Sequence, residues 1–63
     1  MNNDTLFEVF KAAIINEHNA YEFYLKAAEG SINVEAKKLF ENFAATELGH
    51  RTQLEELYKA LKK

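Results

Sequence analysis

Apolar residues recur at steps of three, four and seven along almost the whole chain. In the first half one stripe runs Phe10, Ala13, Ile14, Glu17, Ala20, Tyr21, Tyr24 and Ala28. In the second half another runs Ala36, Leu39 or Phe40, Phe43, Glu47, His50, Leu54, Leu57 and Leu61. About 3.6 residues complete a helical turn, so each stripe lies along one face of an α-helix. The residues between the stripes set the ends. There is no Pro, and the only glycines are Gly30 and Gly49. Thr5-Leu6-Phe7-Glu8 has the spacing of a capping box, with Asp4 as a competing N-cap. Gly30 stands where a left-handed residue would close the first helix. Ser31-Ile32-Asn33 reads as a short connection, with Asn33 capping the second helix. Lys59, Lys62 and Lys63 near its end suit the helix dipole. The spacing predicts helices over about 5–29 and 34–61 of a single domain spanning residues 1–63. Each is roughly 25 residues and about 37 Å long, and the short link makes them antiparallel neighbours. Leu6-Phe7-Glu8-Val9-Phe10 recurs as Leu39-Phe40-Glu41-Asn42-Phe43, which is one core pattern used twice, since two copies do not make a solenoid.

Composition narrows what such a hairpin does. The chain has 63 residues, 48% hydrophobic and 29% charged, too apolar for a disordered tail. It is also short enough that little of its surface gets buried. Chains of this size rely on disulfides, a metal or self-association. With no Cys, disulfides and thiolate sites such as a rubredoxin-type iron centre are excluded. A net charge of −2 with scattered basic residues gives no nucleic-acid footprint. No apolar run approaches the roughly 18 residues of a membrane span. Met1-Asn2-Asn3-Asp4-Thr5 lacks the basic-then-apolar pattern of a signal peptide, so a cytoplasmic protein is expected.

Three ionisable groups interrupt the stripes: Glu17 in the first, Glu47 and His50 in the second. An unpaired charge on a core face is costly, so their positions need a common reason. Glu17 lies about 14 residues before the centre of the turn and Glu47 about 15 after it, which levels them in an antiparallel pair. His50 is one turn beyond Glu47 on the same side. Two carboxylates and an imidazole then meet at one height, the donor types suited to iron or manganese. A lone hairpin supplies three such groups and leaves half of its apolar surface bare. An isologous dimer covers the surface and doubles the set to four Glu and two His. The four carboxylates carry a charge that two divalent ions neutralise. The alternative for the same residues is a polar, water-filled seam that specifies dimer register. Around the first helix, His18 lies about 100° from Glu17 and reads as surface, and Glu22, at about 140°, as solvated. Tyr21 reads as packing, and Phe7, Phe10, Phe40 and Phe43 as core or dimer interface. Gly49 costs about 1 kcal/mol of helix propensity, either for a close helix approach or incidentally.

One Glu on one helix and Glu47-Leu48-Gly49-His50 on its neighbour, given twice, resembles the ligand set of ferritin-like di-iron carboxylate proteins. Glu17-His18-Asn19-Ala20-Tyr21-Glu22-Phe23-Tyr24 is similar to the first ligand helix of rubrerythrins and bacterioferritins. Ala36-Lys37-Lys38-Leu39-Phe40 is similar to a run common in rubrerythrin-like second helices. The resemblance covers nearly the whole chain, although the family normally carries four helices in one chain. It implies an all-α fold, a two-helix antiparallel hairpin that dimerises into a ferritin-like four-helix bundle. It also implies two iron ions per dimer, with manganese as the alternative. Glu17 would be a terminal ligand, Glu47 a bridging one and His50 a terminal nitrogen ligand. Tyr24, seven residues after the first Glu, would hydrogen-bond into the site. Neither a rubredoxin-type domain nor the additional Glu of rubrerythrins has a counterpart here, so the symmetric bacterioferritin-like set is the nearer comparison. The implied activity is that of an oxidoreductase, a ferroxidase or a reducer of dioxygen or hydrogen peroxide with an unidentified electron donor, working as a homodimer or higher homo-oligomer. Two readings from other classes stand beside it: a metal-free helical-hairpin interaction module, and the iron-oxidising component of a larger iron-storage assembly.

Overall fold

A computed structural model describes residues 1–62; Lys63, expected to suit the dipole of the second helix, lies outside the described residues. Helix α1 spans Asn3–Gly30 and helix α2 spans Val34–Leu61, 28 residues each, joined by residues 31–33. Among the described residues there is no strand. The two helices lie side by side as a rod of 46 × 15 × 14 Å.

The first helix starts two residues earlier than the spacing predicts. Its N-cap is Asn2, whose Oδ1 accepts the Thr5 N–H at 2.8 Å, while the Asn2 carbonyl accepts the Leu6 N–H at 2.9 Å. Asn and Asp rank alike as N-caps and both above Thr, and the bonds made by Asn2 place the cap there rather than on Asp4 or Thr5. The other end also departs from expectation. No glycine has a positive φ, and Gly30 ends the helix in ordinary helical geometry. Ser31 takes over the closure instead. Its N–H donates to the Ala28 carbonyl at 3.2 Å and its hydroxyl to the Ala27 carbonyl at 2.6 Å, so two terminal carbonyls are satisfied without a left-handed residue. Asn33 caps α2 as its sequence position predicts, accepting the Ala36 N–H at 2.9 Å.

Small residues bring the helices together. Ala28 and Ala44 are the buried apolar residues, 3% and 2% exposed. Phe7, Phe10, Phe40 and Phe43 do not form one cluster. Phe7 and Phe10 pack on Tyr58 near the free ends, with ring centroids 5.7 and 6.1 Å apart. Phe40 and Phe43 pack on Tyr24 towards the turn, at 6.3 and 5.3 Å. The antiparallel register puts half a helix between the two groups, and the polar residues of the stripes fall between them. Ile32, Leu39, Phe43, Leu57 and Leu61 are all at least 41% exposed. Leu39, Phe43, Leu57 and Leu61 stand at helical steps that align them with His50 on one face of α2, and Ile32 lies in the connection before it. Val9 and Phe23 are also exposed, and lie on the flank of α1 opposite to His18, about 80° and 120° round from Glu17. The hairpin thus leaves one apolar side bare.

Candidate metal centre

The site forms where each helix reaches its midpoint. Glu17 stands halfway along α1 and Glu47 halfway along α2, so uninterrupted helix on both sides fixes the backbone of each. His50 follows Glu47 by three residues and shares its face. One ligand atom from each of Glu17, Glu47 and His50 falls within 4.8 Å of the others. His50 Nδ1 lies 3.6 Å from Glu17 Oε2 and 3.9 Å from Glu47 Oε1. The three side chains singled out by periodicity therefore meet across the helix pair. The Glu17 and Glu47 side chains are 24% and 23% exposed and that of His50 is 52% exposed. The acids sit between the helices, and the imidazole faces the bare side. There a groove of about 370 Å³ is lined by Phe10, Glu17, His50, Gln53, Leu54 and Leu57.

The acids are under electrostatic strain. The Glu47 carboxyl is raised above its ordinary value of 4.5, first by a proton shared with Glu17, then by burial and by the negative charge of Glu17; His50 opposes the rise. Glu17 Oε2 is shielded from solvent and has no hydrogen-bond partner. A shielded carboxylate oxygen without a donor is costly, and a cation in the gap would satisfy it while neutralising both acids. Two carboxylates and one imidazole suit a first-row transition ion. The residues fit a metal.

Other predicted positions fall differently. Tyr24 lies two turns from Glu17, about 10 Å along the axis, with its ring against Phe23, Phe40 and Phe43. Among the described residues no hydrogen bond joins its hydroxyl to the acids, so one hairpin does not bring it into the site. Gly49 has open space where a side chain would project, which removes close helix approach within the hairpin as its reason. Glu22 is half-exposed and lies 3.6 Å from His18, so it is only partly solvated.

His18 is half-exposed, yet it is bonded across the hairpin. Its Nδ1 lies 2.7 Å from Nη1 of Arg51, and Arg51 Nε is 3.4 Å from Glu55 Oε1. Arg51 is absent from the sequence reading. In an antiparallel pair a step forward on each helix carries the two residues about 3 Å further apart along the axis, so register alone gives no signal for this pair, and the long Arg51 side chain spans the difference.

The rubrerythrin family profile matches residues 3–63. Searches of characterised sequences and of solved structures each gave no match. The match spans both helices and all three converging side chains, and the chain belongs to the rubrerythrin family, a family of ferritin-like di-iron carboxylate proteins.

Proposed function

We propose that this chain is a redox-active di-iron protein whose site is completed by a second copy, which oxidises ferrous iron or reduces dioxygen or peroxide. The observation that carries the reading is the meeting of Glu17, Glu47 and His50 beside a shielded, unpartnered carboxylate oxygen. A hairpin offers three ligands and exposes His50 on its bare apolar side. A second hairpin packed there would supply three more and give a four-helix bundle. In this reading Glu17 would be a terminal ligand from α1, Glu47 a bridging ligand from α2, and His50 a terminal nitrogen ligand. When bound, a ferrous pair supplies two electrons to one small oxidant. The protein's own part is to hold the acids close together, and to keep water scarce around them with the apolar residues above and below. Tyr24 of one hairpin would reach the acids only within the completed bundle, where its hydroxyl orients a carboxylate. Among the described residues no helix is long and apolar enough to cross a membrane.

The test is anaerobic loading with ferrous iron at two ions per dimer, followed by air. The expected result is colourless binding, then near-ultraviolet absorption of a ferric product, faster than iron oxidises in buffer. His50→Ala should slow the reaction at least about ten-fold, by loss of a nitrogen ligand. Tyr24→Phe should keep the stoichiometry and change the rate modestly. A much faster reaction with peroxide than with air assigns peroxide reduction; a comparable or slower one assigns oxidation by dioxygen. If wild type and His50→Ala both follow the buffer rate with either oxidant, the redox reading fails.

A further inference from the structure

Beside the pair of acids Glu17 and Glu47, two further side-chain contacts between polar groups cross from α1 to α2 among the described residues, and they are sequence neighbours on both helices. His50 Nδ1 faces Glu17 Oε2 at 3.6 Å, and Arg51 Nη1 meets His18 Nδ1 at 2.7 Å. They differ in kind. The first joins two of the proposed metal ligands, and a metal taking both would break it. The second involves neither ligand, so a metal taking Glu17 and His50 leaves its two partners free to keep it. Arg51 has only donors, so a 2.7 Å contact requires Nδ1 of His18 to be the bare, accepting nitrogen, leaving the proton on Nε2. That nitrogen lies 3.6 Å from Glu22 Oε1, and the other side of the guanidinium faces Glu55 at 3.4 Å. A chain Glu22, His18, Arg51, Glu55 therefore crosses the outer face of the hairpin at the height of the acids. The side chain of Arg51 is only 29% exposed, so its charge is held in place rather than trailing in solvent.

We infer that Arg51 and His18 form a positioning clamp that fixes the register of α1 and α2 at the metal site, whether or not metal is present. Glu17 and Glu47 face each other across the same gap, and where both are charged their repulsion works to open the metal-free hairpin at its middle. A short, charge-assisted hydrogen bond one residue further along each helix opposes the opening. The ligand atoms then stay within coordinating reach of one another before a metal arrives, so less of the binding free energy goes into closing the helices. Arg51 and His18 touch no ligand atom; their effect passes through the backbone of Glu17 and His50. This inference rests on the metal-site reading above, and its test is arranged so that the two fail separately.

The experiment is a double-mutant cycle on the full chain with Arg51→Met and His18→Ala, with His18→Asn as the rescuing variant. Asn offers an acceptor oxygen near the position of Nδ1; Ala offers none. Cobalt(II) is the probe for the metal arm, followed by its visible absorption. Each single variant is expected to weaken cobalt binding about ten-fold and to change the band shape. The double variant should be no weaker than either single one, because the two residues act as one unit. His18→Asn should bind within about three-fold of wild type. The metal-free arm reads amide hydrogen exchange of residues near 17 and 50, which should quicken in Arg51→Met and His18→Ala but not in His18→Asn. Additive cobalt losses, or no rescue by Asn, would overturn the clamp. Wild type that binds no cobalt overturns the metal site instead, and the exchange arm then decides the clamp: unchanged exchange in both disruptive variants sinks it.

Discussion

Glu47 holds a proton more readily than an isolated glutamate, because Glu17 shares that proton and both carboxylates occupy one narrow gap. A raised carboxyl in the folded state adds stability that is fully present below its ordinary value of 4.5 and is lost as pH rises through the raised value. Replacing Glu47 with Leu removes the charge and keeps a similar volume, so the variant should lose metal binding yet melt higher than metal-free wild type. The gap in Tm between them should widen as pH goes from 4.5 towards neutrality. Thermal melts across that range check both the sign and the trend. A variant that melts lower than wild type would show that the acids stabilise the fold by pairing, and the polar-seam reading would gain.

At the scale of the helix, end chemistry sets the boundaries and the stripes set the faces. Asn33 both stops the turn and starts α2, through its side chain to the Ala36 N–H at 2.9 Å and its carbonyl to the Lys37 N–H at 3.0 Å. Asn33→Ala should cost about 1 kcal/mol, a fall in Tm of about 4–8 °C for a domain of this size. Circular dichroism melts at fixed protein concentration measure it. That cap was legible in the sequence because Asn33 stood alone as a capping residue after a break in the stripe. The start of α1 was not, since Asn2, Asp4 and Thr5 compete there and only the folded backbone shows which side chain reaches a free N–H. Gly30 misled for a related reason. Glycine permits a left-handed end, but Ser31 satisfies the same carbonyls at lower conformational cost. The meeting of Glu17, Glu47 and His50 was readable because level register follows from counting residues outward from the turn. The bond between Arg51 and His18 was not, because it depends on how far two long side chains reach around the sides of the helices, which periodicity does not report.

The whole molecule is a pair of helices with one side unfinished. Leu39, Phe43, Leu57 and Leu61 lie bare on the face of α2 that carries His50, and burying side chains of this kind is worth about 1.5–3 kcal/mol each. The expected species at micromolar concentration is therefore a folded dimer, with a Tm that rises with protein concentration and no stable folded monomer. Leu57→Glu places a charge in that face and should weaken self-association by roughly ten-fold or more. Ile15→Glu, on the outer side of α1 where Ile15 is 58% exposed, should leave it unchanged. Sedimentation equilibrium on the three proteins separates these outcomes, and a helical monomer with a cooperative melt would sink the paired-hairpin assembly. The two aromatic groups have a further consequence for traffic. Phe7, Phe10 and Tyr58 lie on one side of the acids and Tyr24, Phe40 and Phe43 on the other. With the acids at mid-height, each end of the rod is about 20 Å away. Were a second hairpin to cover the bare side as proposed, rings would stand across both axial approaches, and an ion or small oxidant would have to enter sideways, through the seam between helices at the level of His50.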